Sequence, residues 1–183
     1  ALAALGLSAS FALRQAELFQ RQPARVTFVD VGQGDAALLE LPGGKTVLVD
    51  AGPGFSDRGA GRRNLFPYLR SRGIDHLDLV VITHPDLDHY GGLLYLLPRL
   101  SVGTILHPGA PAETEAWREL HQLAQARKIP VRRATCGDTL YRQTHALLTV
   151  LHPCPEDDGL ERNDRSIVLS LLLHGRTFLL AGD

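Results

Sequence analysis

From residue 25 onward the chain alternates short apolar runs with glycine- and proline-bearing turns. The run Arg25 to Val31 has the β-branched and aromatic content of a strand. A Gly32-Gln33-Gly34 turn leads into Ala36 to Leu41, and Pro42-Gly43-Gly44 returns the chain as Thr46 to Val49, ending at Asp50. Leu65 to Arg72 is predicted as a helix closed by Gly73. Leu79 to Ile82 reads as a strand buried on both faces. Gly91-Gly92 opens a short helix through Leu97, and Thr104 to Leu106 is a further strand. Glu113 to Arg127 carries the clearest helical period, with Trp117, Leu120 and Leu123/Ala124 on one face. Val131 to Arg133, Ala146 to Leu151, Ser166 to Leu173 and Thr177 to Leu180 are strands. Strands, then βα units, then more strands predict a layered α/β protein with its helices outside.

Directly after the strand at 79–82 comes Thr83-His84-Pro85-Asp86-Leu87-Asp88-His89. Two imidazoles and two carboxylates crowded into six residues repel and desolvate one another unless cations sit between them. The cluster is therefore a predicted site for one or two divalent metals. A glycine-rich loop, Ser56 to Arg63, follows Asp50 and carries Arg58, Arg62 and Arg63. These are candidates for gripping a phosphate backbone, the alternative being an ordinary solvated loop. The Gly32-Gln33-Gly34-Asp35 turn has the glycines of a phosphate cradle, but it opens a strand, as a tight hairpin beside the site would.

Composition narrows the class. At 183 residues, 44% hydrophobic and 21% charged, the chain fits one globular domain. A net charge of −1 provides no global basic field for nucleic acid. Lys45 and Lys128 are the only lysines among 19 basic residues, a bias that a GC-rich genome produces by itself. Cys136 and Cys154 lack CxxC spacing, which argues against structural zinc, and are expected as unpaired buried thiols. The chain holds no methionine and is expected to be a piece of a longer protein. Ala1 to Leu13 carries no charge, too short to span a bilayer alone, so residues 1–24 are expected to be the end of a membrane-spanning helix plus a linker; a short buried helix is the alternative. Residues 25–183 form the predicted domain.

Several segments together resemble a known family. The His-x-Asp-x-Asp-His block, Asp50 at the end of Val-Leu-Val-Asp-Ala-Gly, and Leu179-Leu180-Ala181-Gly182-Asp183 resemble the metallo-β-lactamase superfamily. Phe28 to Ala36, Pro67 to Ile74, Asp78 to Leu93 and Asn163-Asp164-Arg165-Ser166 are similar, more narrowly, to the hydrolase domain of the ComEC family of DNA-uptake channel proteins. The resemblance implies an α/β fold of the αββα sandwich type, C-terminally incomplete in this chain, and a two-metal hydrolase. It implies further a full-length protein in the cell membrane, with this domain soluble on the extracytoplasmic side.

Carried over by position, the resemblance makes His84 and Asp86 ligands of one metal, Asp88 and His89 ligands of the second, and Asp183 the bridge. Asp50 becomes the buried partner that orients a ligand or the attacking water, and Asp50 and Asp88 are the residues expected to serve catalysis. For the remaining ligand the family uses a histidine; here Asn163 is preferred over the upstream His152, while a simple turn is the alternative for Asn163-Asp164. The family pattern continues past Asp183 to a last histidine-bearing segment; if the molecule itself lacks that segment, weak or no activity is expected. Asp86 stands where the commoner pattern has a second histidine, which shifts preference toward manganese, with zinc or magnesium also possible. A hard two-metal site suits a phosphodiester. The expected function is a nuclease that degrades one DNA strand during natural transformation, gripping it through Arg62 and Arg63. Its expected partners are single-stranded DNA, the membrane and other components of the uptake machinery. The alternatives are a non-catalytic module that guides DNA and a phosphodiesterase for small-molecule or cell-wall substrates.

Overall fold

Strands that are apolar on both faces need cover on both sides, and this requirement sets the layering. The computed structural model describes residues 24–54, 58–109, 114–159, 161 and 163–183. The segment expected to close a membrane span thus lies, apart from Ala24, outside the described residues. Among the described residues no helix is long and apolar enough to cross a membrane.

β1 (Arg25–Phe28), β2 (Ala37–Leu41) and β3 (Lys45–Val49) form an antiparallel meander. β4 (His76–Val81), β5 (Ser101–His107) and β6 (Val131–Arg133) extend it in parallel, in the order β1-β2-β3-β4-β5-β6. Parallel neighbours require crossovers, which carry the helices α1 (Phe66–Ser71), α2 (Leu87–Tyr90), α3 (Leu93–Leu96) and α4 (Glu115–Ala126). Side chains divide by period two: Leu38 and Leu48 face the helices, while Leu39, Val47 and Val49 face the second sheet. In α4 the Thr114 hydroxyl caps the helix by accepting from the Trp117 amide, and Trp117, Leu120 and Ala124 turn inward.

The second sheet is antiparallel: β7 (Thr139–Gln143), β8 (Ala146–His152), β9 (Val168–Leu173) and β10 (Arg176–Leu180), in the order β10-β9-β8-β7. Its inner face buries Leu148, Val150, Leu169, Leu171 and Leu180 against the first sheet. Its outer face leaves Leu151, Leu172 and Leu179 exposed at 49%, 41% and 63%. Helix-borne core side chains all belong to the cluster on the far side of the first sheet. Among the described residues the layers therefore run helix, sheet, sheet, and the outer helical layer of an αββα sandwich is not among them.

Three local differences from the sequence expectation have physical causes. β7 went unpredicted because an edge strand with only Leu140 and Tyr141 half-buried shows no clear alternation. An unpredicted helical turn, Leu87–Tyr90, precedes the helix expected after Gly91-Gly92, so the metal-binding motif straddles a strand exit and a helical turn. Part of the arginine loop is a turn of π-helix, Gly61–Leu65, because Gly61 is pressed onto Gly92: a Cβ there would stand 2.3 Å from the Gly92 carbonyl oxygen.

The cysteine expectation is overturned. Cys136 and Cys154 form a disulfide, with Cα atoms 4.8 Å apart, and both are half-buried rather than buried. The pairing comes from topology. The chain leaves β6 for the second sheet just where β8 ends, and the Cys136 amide donates to the Pro153 carbonyl at 2.7 Å.

Candidate metal centre

The site forms where parallel strands end, the usual place for ligands in α/β sheets. Asp50 follows β3 directly, and its amide donates to the Val81 carbonyl of β4 at 2.8 Å. Thr83 and His84 leave β4 one residue beyond Ile82. The Thr83 carbonyl accepts from the Ile167 amide at 2.8 Å and so ties this edge to the second sheet. Gly182, at φ +67°, passes close over Thr83 and Ser166 and delivers Asp183 from β10.

One buried carboxylate organises the centre. Asp50 is 1% exposed and adopts φ +57°, a conformation tolerated by aspartate. Its Oδ1 accepts from the Thr83 amide at 2.8 Å. Its Oδ2 accepts from the Thr83 hydroxyl at 2.6 Å and from His89 Nδ1 at 2.9 Å. The Thr83 hydroxyl oxygen then accepts from His84 Nδ1 at 3.1 Å. Because Asp50 only accepts, this chain places the Nδ1 protons of both histidines inward and turns both Nε2 atoms toward the open side.

The two imidazoles lie with ring centroids 3.9 Å apart, each 1% exposed. Burial and the neighbouring His89 hold His84 below the ordinary histidine range. Burial opposes protonation of His89 as well, but its hydrogen bond and charge contact with Asp50, aided by Asp183 and Asp88, carry it up to about 9. One proton-bearing and one neutral ring thus sit side by side, facing carboxylates. His89 Nε2 is 3.5 Å from Asp183 Oδ2, and His84 Nε2 is 3.7 Å from Asp86 Oδ2.

Donor atoms of His84, His89 and Asp183 all lie within 4.8 Å of one another. Two imidazole nitrogens with fixed tautomers and one carboxylate, converging at the mouth of a dry strand edge, fit a divalent cation. The structure thus brings together three of the six expected ligands. Asp86 is half-buried at the margin of this group. Asp88 is exposed while the adjacent His89 is buried, because consecutive residues on a helical turn point about 100° apart. Asp88 remains near enough to act on the charge of His89.

Asn163 lies exposed in a 3₁₀ turn, Asn163–Arg165, and shares an open cleft with Asp86, Glu161 and Asp164. The rival residue, His152, is committed elsewhere: its Nδ1 donates to the Ser166 carbonyl at 2.9 Å and its Nε2 faces Asp157 at 3.1 Å. Arg58, Arg62 and Arg63 are all exposed. The last two stand on the π-helical turn, not on a loose loop, and their neighbour Asn64 donates to the Asp30 carbonyl at 2.7 Å.

Two residues that sequence reasoning did not place in the site belong to its framework. Thr83 links Asp50 to His84, and its position directly before His84 was the only signal. Gly34 lies at φ +97°, where a Cβ would come 2.1 Å from the Asp88 carbonyl oxygen. The Gly32-Gln33-Gly34 turn is thereby a close-packed hairpin laid on the motif's backbone, which supports the hairpin alternative.

Comparison with known proteins agrees with this geometry. The chain is 26% identical over 170 residues to ComE operon protein 3 of Bacillus subtilis, covering 86% of this chain and 22% of that protein. It is 26% identical over 181 residues to competence protein ComA of Neisseria gonorrhoeae, covering 97% of this chain and 22% of that protein. The chain thus spans about a fifth of the length of these curated relatives. Among solved structures it is similar in fold to CmlA, a diiron β-hydroxylase from Streptomyces venezuelae, with a TM-score of 0.52 and 21% identity. That similarity covers 87% of this chain and 30% of CmlA. The metallo-beta-lactamase superfamily model matches residues 29–183, from the end of β1 through Asp50, the His-x-Asp-x-Asp-His motif and Asp183, and the chain belongs to that superfamily.

Proposed function

We propose that this chain is the nuclease domain of a ComEC-like DNA-uptake protein, a metal-dependent phosphodiester hydrolase that degrades one strand during transformation. The observation that carries the reading is the convergence of His84, His89 and Asp183 around the Asp50 anchor, in a chain similar to competence proteins. Members of the superfamily are usually metal-dependent hydrolases. His84, His89 and Asp183 would hold the first divalent ion, and Asp86, Asp88 and Asn163 offer oxygen donors for a second. Bound divalent metal supplies Lewis-acid activation of water and neutralises charge on the phosphodiester oxygens.

The protein's own groups do the rest. Asp50 keeps the Nδ1 protons of both histidines in place, directly for His89 and through Thr83 for His84. Ile82 and Tyr90, which flank the motif in the chain, are fully buried. Asp88, exposed beside the buried His89, would take a proton from the incoming nucleophile. Arg62 and Arg63 face solvent on a structured turn, where guanidinium groups can grip phosphate in a bidentate manner. The oxygen-rich donor set favours manganese over zinc.

The test is degradation of end-labelled single-stranded DNA with manganese, zinc, magnesium or chelator, beside an Asp86→Ala variant. Manganese-dependent cleavage that the chelator and the variant both abolish is expected. Absence of cleavage by protein shown calorimetrically to bind metal would sink the nuclease reading. Retained, salt-sensitive binding of the strand would then favour a DNA-guiding module.

A further inference from the structure

The near-zero net charge conceals a strong polarity along the molecule. The metal centre occupies the end where β3 to β6 finish. At the opposite end lie the β2–β3 turn and the starts of β4 to β6, joined by the β7–β8 and β9–β10 turns. The two sheets meet there because Tyr141 donates its hydroxyl hydrogen bond to the Pro42 carbonyl. The hairpin tips adjoin as well: the His174 amide donates to the His145 carbonyl at 2.8 Å, and the two rings stack at 5.6 Å.

Some charges at this end cancel. Glu40 faces Arg72 at 2.8 Å and Arg25 at 3.7 Å, and Asp78 pairs with Lys45. Six further cations are exposed there: Arg70, Arg99, Arg127, Lys128, Arg142 and Arg176. Arg70 is in the last turn of α1, and Arg127 donates to the Pro98 and Leu100 carbonyls beside the start of β5. Arg142 and Arg176 flank the hairpin tips. Against these six stands Asp75 as the one remaining acid among the described residues of this end. The acids gather at the metal end instead, where Asp30, Asp35, Asp86, Asp88, Asp164 and Asp183 lie.

We propose that this basic end is a docking surface for an anionic lipid bilayer, so that the metal centre faces away from the membrane plane. Two observations select lipid as the occupant. The described chain enters at this end, through Ala24 and Arg25, directly after a segment whose first 13 residues carry no charge. An exposed leucine, Leu172, lines a shallow cleft with Arg142 and His145, pairing an apolar side chain with cations as an interfacial surface requires.

The test is co-sedimentation of the whole 183-residue chain with phosphatidylcholine vesicles, with and without about 30% phosphatidylglycerol. Each basic side chain near an anionic leaflet strengthens binding by a factor of about five, so Arg142→Glu with Arg176→Glu is expected to weaken it by about 30-fold or more. Arg70→Glu with Lys128→Glu, on the first-sheet side of the same face, is expected to do likewise. Arg118→Glu, on the outer surface near the start of α4, is expected to leave binding within about twofold. Adsorption to pure phosphatidylcholine through the apolar run should not change in any variant. Binding independent of phosphatidylglycerol, or equal losses in Arg118→Glu, would overturn the proposal. So would loss of single-stranded oligonucleotide binding in the double variants with vesicle binding intact, which would make the face a nucleic-acid surface.

Discussion

Thr83 has no net charge and is no ligand, yet His84 is linked to the Asp50 anchor only through it. Its hydroxyl gives its proton to Asp50 and receives one from His84 Nδ1. Thr83→Val preserves the shape but leaves the buried His84 Nδ1–H without an acceptor. Partners of this kind are worth 10–100-fold in metal affinity, so titration calorimetry with manganese or zinc is expected to show a loss of about that size. Thr83→Ser is expected to recover most of it, and a variant with unchanged affinity would refute the relay. His107, at the end of β5, is a second residue with a clear signature. Burial, then the charges of His121 and Arg133, push its pKa down to about 4. The folded protein therefore favours the neutral ring, whereas the unfolded chain takes up the proton near pH 6.5. The stability contributed by the neutral His107 is expected to be intact above about pH 6.5 and to fall as pH drops from there toward about 4. Urea midpoints measured across that window check this, and His107→Gln should flatten the decline.

At the scale of elements, the disulfide between Cys136 and Cys154 joins the crossover from β6 to the loop that leads toward Asn163. Closing an 18-residue separation restricts the unfolded chain by about 3 kcal/mol in the loop-entropy account. Reduction, or Cys136→Ser with Cys154→Ser, is expected to lower the melting temperature by roughly 6–12 °C, as calorimetry would show. Element type was largely legible in the chain itself. The buried runs of β2 to β5 and the amphipathic period of α4 were read correctly because both depend on local spacing of apolar residues. The turn at Gly61–Leu65 and the edge strand β7 were not legible. A π-turn forms where two backbones are forced together, and an edge strand gains its pattern from a neighbour, so both are consequences of contact.

For the whole molecule, metal binding should couple to folding, because the donor atoms come from β4, α2 and the end of β10 and meet only in the native state. With free metal at about 100 times its dissociation constant, the folded protein gains about 2.7 kcal/mol. Calorimetric melts are expected to rise with manganese or zinc and to return on chelation, and Asp183→Asn is expected to abolish most of the rise. The sequence by itself determined the superfamily and the α/β layering, because strand periodicity and a six-residue motif are local properties. Only the tertiary structure decided which donors converge. The helical turn that buries His89 exposes Asp88, and the second sheet brings Asp183 into reach. It also decided that Cys136 meets Cys154 and that Arg70, Arg99, Arg127, Lys128, Arg142 and Arg176 share one end. Those outcomes depend on residues far apart in sequence being placed together by the packing of two sheets.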